Sequence, residues 1–156
     1  MVIEGRAKNL PAFLRGDVWH KGAALIGTPR YTEFLKVKPL PCINYPLGCH
    51  RHIEYEFPSG EKPEGNGPEY ETIGMMGSNL LIDDLPAICL ANDMCNRAGI
   101  DTVSTGAFIG FLMKCYQAGW LSLKDTGGLE LKWGDGKVLV ELTKQINQSG
   151  RLGKLL

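Results

Sequence analysis

Apolar and polar residues alternate at period two across residues 53–57 (IEYEF), which predicts a short strand. Downstream the apolar recurrence lengthens to three and four, the helical period. Over residues 68–81, Tyr70, Ile73, Met76, Gly77 and Leu80 share one face, and Pro68 suits the first turn of a helix. A second helix is expected from a cap at Asp83 or Asp84, with Pro86 in its first turn and Gly99 just past its end. Its inner stripe reads Leu85, Ile88, Cys89, Asn92 and Cys95. Ser104 or Thr105 is the expected cap of a third helix, with Ala107, Phe108, Phe111, Leu112 and Cys115 inside and Gly119 as terminator. Asp135 caps a fourth, which carries Leu139, Leu142 and Ile146 inward and stops near Gly150.

Upstream the pattern is weaker. Residues 10–18 suit a short helix or turn, and a helix over 28–37 begins after Gly27. Residues 42–49 must be loop, and 58–68 (PSGEKPEGNGP) form a polar, turn-rich stretch. Small Gly74, Gly77 and Ser78 would let another backbone approach the first of the later helices. The fold class is therefore mainly α: a helical domain of four or more helices, a short strand or hairpin near 53–57, and a loop-rich N-terminal third. Residues 1–40 form a lead-in and 41–156 the domain proper. The apolar Leu155-Leu156 reads as the start of a further element, so the domain is expected to be truncated there.

At 156 residues, one domain with a real core fits and two do not. Seventeen basic and seventeen acidic residues cancel, which argues against a nucleic acid or an anionic membrane as partner. No run approaches the roughly 18 apolar residues of a membrane span. The N-terminal MVIEGRAKNL lacks the basic-then-apolar order of a signal peptide. Five cysteines, an odd number, favour a reducing compartment, with the cytoplasm as the default location.

The densest chemistry lies in PCINYPLGCHR, residues 41–51. Cys42 and Cys49 sit in a Pro- and Gly-rich loop, and thiolates suit soft metals and iron–sulfur clusters. A rival reading joins Cys42, Cys49, His50 and His52 as a tetrahedral zinc site of a small interaction module, although ligands spaced Cys-His-x-His converge poorly. His50 and His52 otherwise read as surface residues beside Arg51. In GPEYET, Glu71 and Glu69 suit equally well the first turn of a helix, where a carboxylate complements the dipole. Residues 96–102 read as helix-stop chemistry with the next helix starting just beyond. Cys89, Cys95 and Cys115 fall on inner stripes as small buried hydrophobes, and Trp19, Trp120 and Trp133 read as packing residues. No dinucleotide or P-loop glycine pattern is present.

Taken in order, PCINYPLGCHR, GPEYET, GSNLLIDD, ANDMCNRAGIDTVSTG and KWGD resemble the tungsten- or molybdenum-pterin enzymes of the aldehyde ferredoxin oxidoreductase family, from Lys38 to the C-terminus. The resemblance implies the family's middle, mostly helical domain, taken from a chain several times this length. It implies oxidation of an aldehyde to a carboxylic acid at a tungsten- or molybdenum-bis-pterin, with electrons passing through a [4Fe–4S] cluster to ferredoxin or a similar carrier. Cys42 and Cys49 match the first and third cluster cysteines of C-x2-C-x3-C, Tyr45 stands at the second, and the fourth lies beyond Leu156. Tyrosine offers a harder ligand than thiolate, so this chain presents two of four usual ligands. Glu71 matches a glutamate near the metal that takes a proton as the aldehyde is oxidised. The pterin-binding pattern D-x-x-G-L-(C/D)-x falls on Asn96, Gly99, Ile100, Asp101 and Thr102, with Asn in place of Asp at its first position. The chain alone is then expected to be incomplete and inactive. It would need the missing domains or a split partner subunit, or else be a non-catalytic remnant that keeps the fold.

Overall fold

A computed structural model describes residues 19–41, 43–44, 46–48, 50–54, 60 and 64–148. Cys42, Tyr45, Cys49 and residues 10–18, 55–57 and 150–156, on which several expectations fall, lie outside the described residues. Two short helices come first, α1 (His20–Ile26) and α2 (Thr28–Leu35), the second starting directly after Gly27 with proline at its start. α1 had no signature of its own in the sequence. Three strands follow, β1 (Lys38–Leu40), β2 (His50–Glu54) and β3 (Glu64–Asn66), in an antiparallel sheet of order β1-β2-β3. β3 lies within the stretch expected to be loop. Its Gly65 pairs with Ile53 through the backbone alone, so turn-rich composition concealed it.

The helix expected over 68–81 forms, but its winding is irregular. α3 (Tyr70–Thr72) passes into a π-helical turn (Ile73–Gly77) and then a 3₁₀ turn (Ser78–Leu80). The Ser78 N–H reaches back to the carbonyls of both Gly74 and Ile73, and Leu81 closes the segment in a left-handed conformation. Ile73, Met76, Gly77 and Leu80 are buried as their spacing predicts.

α4 (Leu85–Ala98) begins and ends where its punctuation predicts. The Asp84 carboxylate accepts from the Ala87 N–H at 3.1 Å, Pro86 lies in the first turn, and Gly99 takes φ +69°. There the Ile100 N–H donates to the Cys95 carbonyl at 2.9 Å, which closes the helix end. Leu85, Ile88, Cys89, Asn92 and Cys95 are all buried. α5 (Thr102–Gln117) is capped by Asp101, three residues before the expected Ser104, because the Asp101 carboxylate accepts from the Ser104 N–H at 2.6 Å. α6 (Gly136–Asn147) starts at the predicted Asp135 cap and buries Leu139, Leu142 and Ile146.

The core lies between α4, α5, α6 and the 70–80 segment, with α6 packed chiefly on α4. Phe111, expected inside, is 48% exposed, and Trp120 is 78% exposed rather than packed. α5 turns its glycine side inward instead. A Cβ on Gly106 would stand 2.8 Å from the Met75 backbone, and one on Gly110 2.9 Å from Asn79 Nδ2. The 70–80 segment therefore sits directly on the α5 backbone, and Phe111 is carried to the outer face. Gly77 also permits a close approach, to Ile26 and Ile88, whereas Gly74 has open space around it.

Candidate functional site

One cavity of about 800 Å³ opens where β2, β3, the start of the 70–80 segment, the end of α4 and the start of α5 meet. It is lined by three residues picked out by the sequence, Glu71, Asn96 and Thr102, which come from three different elements or their junctions. Gly99, Ile100 and Asp101 do not line it. Gly99 supplies the left-handed turn, Ile100 packs against the core, and Asp101 caps α5. The Asp101 carboxyl is held below the usual carboxylate range by its hydrogen bonds to Ser104.

The remaining lining includes several polar side chains to which the sequence reading gave no cofactor role. Asp93, Asn96 and Arg97 follow one another at helical spacing on the side of α4 that faces away from its apolar stripe. Arg97 Nε donates to Asp93 Oδ2 at 2.7 Å. Asn92, buried within an otherwise apolar stripe, donates from Nδ2 to the Asn66 carbonyl at 3.1 Å. A polar amide at an inner-stripe position was the available signal for it. At the start of β2, His50 Nδ1 stands 3.3 Å from Glu69 Oε1, and both residues line the cavity. Deeper in, the hydroxyls of Thr72 and Thr102 are 2.7 Å apart.

Leu40 and His50 are paired across β1 and β2, and His50 also lines the cavity. Among the described residues no group of three or more His, Cys, Asp or Glu side chains is arranged to hold a metal ion. The buried thiols are poor ligands. Burial, together with the Asp84 charge, pushes Cys89 up to about 12, and burial raises Cys95 as well.

The family model described as aldehyde ferredoxin oxidoreductase, domains 2 and 3, matches residues 8–156. The chain belongs to the aldehyde ferredoxin oxidoreductase family. The tungsten-containing aldehyde ferredoxin oxidoreductase of Pyrococcus furiosus is 38% identical over 104 residues, covering 66% of this chain and 16% of that protein. Its counterpart from Thermococcus kodakarensis is 36% identical over 121 residues, covering 77% and 19%. An aliphatic sulfonate oxidoreductase, WOR-like subunit, of Pyrococcus furiosus is 31% identical over 111 residues, covering 71% and 18%. The chain thus spans less than a fifth of the length of these relatives. Among the described residues, no helix is long and apolar enough to cross a membrane.

The cavity's donor set suits a pterin edge. Pterin rings present alternating hydrogen-bond donors and acceptors, and the amides of Asn92 and Asn96 with the hydroxyls of Thr72 and Thr102 offer both kinds. Thiolate ligands for a cluster would have to come from Cys42 and Cys49, outside the described residues.

Proposed function

We propose that this chain forms the helical wall of a tungsten- or molybdenum-pterin site in an enzyme that oxidises an aldehyde to a carboxylic acid. The observation that carries the reading is the convergence of Glu71, Asn96 and Thr102 on one cavity. When bound, a pterin metal would supply two-electron oxidation, and a [4Fe–4S] cluster would supply a route for single electrons to ferredoxin or a similar carrier. Asn96 and Thr102 would hold the pterin edge by hydrogen bonds, with Gly99, Ile100 and Asp101 fixing the turn that presents them. Glu71, exposed at the cavity, accepts the proton released from the aldehyde or its hydrate on its carboxylate oxygen. Arg97 and Asp93 close the polar wall beside Asn96.

Cys42 and Cys49 contribute two cluster ligands in this reading, and Tyr45 leaves the second family position without a thiolate. The cofactor-cradling domain and the remaining ligands come from the rest of a longer polypeptide or from a separately encoded partner. The cytoplasm is the compartment in which this chemistry is placed.

The test is anaerobic purification of the chain, alone and with its completing domains, followed by metal and sulfide analysis and a visible spectrum. Tungsten or molybdenum with iron and sulfide in the assembled enzyme, and aldehyde oxidation abolished by Glu71→Gln, support the reading. An assembled enzyme that holds neither metal nor cluster would reduce the chain to a fold that has lost its chemistry.

A further inference from the structure

The turn that carries Glu71 opens an irregular helix. α3 is three residues long, its N-terminal flanking residue Glu69 makes no side-chain capping bond, and the winding changes to π immediately after Thr72. Its own backbone closes the turn through the Ile73 N–H, which donates to the Glu69 carbonyl at 3.0 Å. A neighbouring element adds a second restraint. Thr72, 4% exposed and adjacent to Glu71, has its hydroxyl 2.7 Å from that of Thr102, the first residue of α5. One turn further along α5, Gly106 brings the Met75 backbone into close contact.

We propose that Thr72 is a positioning residue, whose hydroxyl bond to Thr102 fixes the carboxylate of Glu71 relative to the α4–α5 junction at 96–102. The inference rests on the role given to Glu71 and the junction above. Each hydroxyl carries one proton and two acceptor lone pairs, so the pair spends a single proton on its mutual bond. The other proton and the spare lone pairs are left for the cavity or for nearby carbonyls. Thr102, half-buried at the cavity, can thus touch a ligand while it holds Thr72. The bond also joins two segments that are thirty residues apart in sequence. Displacement of the junction would therefore be transmitted to the helix bearing the proton acceptor.

The experiment uses the full chain with ¹³C-labelled glutamate carboxyls, the Glu71 resonance being identified by its loss in Glu71→Gln. Thr72→Val keeps the side-chain shape and removes the hydroxyl. It should move the Glu71 resonance and speed amide exchange over residues 70–76 by about tenfold, the scale of one lost hydrogen bond, while α6 exchange stays unchanged. Thr72→Ser should restore both. Leu142→Ala, a destabilising change in the distant core, should lower the thermal midpoint without moving the resonance. An unmoved resonance in folded Thr72→Val, or acceleration equal in α6, would overturn the proposal. If Thr72→Val does not fold, Thr102→Val removes the same bond from the more exposed side and is read identically. These readouts do not depend on turnover. Aldehyde oxidation that survives Glu71→Gln in the assembled enzyme would defeat the functional reading and leave the coupling standing.

Discussion

Asn92 and Asn66 join a helix to the edge strand of the sheet. The Asn92 side chain is buried on α4, and its Nδ2 donates at 3.1 Å to the carbonyl of Asn66 at the end of β3. β3 is three residues long and pairs on one side with β2, so this bond fixes one wall of the cavity. Asn92→Ala is expected to cost about 1–2 kcal/mol, since it removes the donor and leaves the carbonyl less well satisfied. Asn92→Asp should cost more, because a carboxylate would face that carbonyl. Chemical denaturation of the three proteins, with midpoints in the order native, Ala, Asp, checks both.

Glycine substitutions should separate contact from open space. Gly106→Ala places a methyl 2.8 Å from the Met75 backbone, which cannot move aside as a side-chain tip can. A loss of about 1–3 kcal/mol is expected, typical of overpacking. Gly74→Ala meets nothing within 4 Å and has no positive φ, so it should be neutral or stabilising by up to about 1 kcal/mol. Paired thermal melts decide the matter, and equal midpoints for the two variants would refute the packing of α5 described above.

The Asp101 cap gives α5 a defined acid sensitivity. Its folded-state pKa is lowered by hydrogen bonds to Ser104, so the carboxylate form is the stabilising one. The contribution is complete above the ordinary Asp value near ~3.9 and disappears as pH falls through the lower folded value. Asp101→Ala should therefore cost about 1 kcal/mol at neutral pH. The gap between variant and native protein should close as the pH is taken below about 4. Stability measured from pH 7 to pH 3 would show the two curves converging, and parallel curves would rule out a charged cap.

Cys89 and Cys95 should be silent toward thiol reagents in the folded chain. Burial raises both, Cys89 to about 12, so little thiolate exists near pH 8. Iodoacetamide at that pH is expected to leave both unmodified, with modification following denaturation. Mass mapping of the alkylated peptides before and after unfolding is the check.

Capped, regular elements were legible because their signals are local. The Asp84 cap, Pro86 and the left-handed Gly99 mark α4 within a few residues, and α6 follows in the same way from Asp135. β3 was hidden because Glu64, Gly65 and Asn66 carry no alternating pattern, and their pairing with β2 is a property of the backbone. Phe111 misled for a different reason. Apolar bulk was taken to mark the inner face of α5, but the glycines of the opposite side allow closer backbone packing. At the site, Glu71, Asn96 and Thr102 were legible only through motif resemblance, and the structure gathers them around one cavity. Asn66, which also lines it, is tied to Asn92 through its backbone carbonyl, and a backbone group leaves no trace in the identity of its residue.

The π turn at Ile73–Gly77 makes the direction of Glu71 depend on a residue count as well as on residue identities. Each residue of an ordinary helix advances the side chains by about 100° around the axis. A π turn already holds about one residue more than an α turn over nearly the same rotation. If one residue were removed between Gly74 and Gly77, the turn would relax to α geometry with the part held by Leu80 and the part bearing Glu71 still in phase. One residue added there would instead put the two parts out of phase by about that angle. The carboxylate would then swing away from the cavity although every side chain lining it remained in the chain. Single-residue insertions here belong among the most damaging changes to the site, while many substitutions in the same turn leave its angular setting intact.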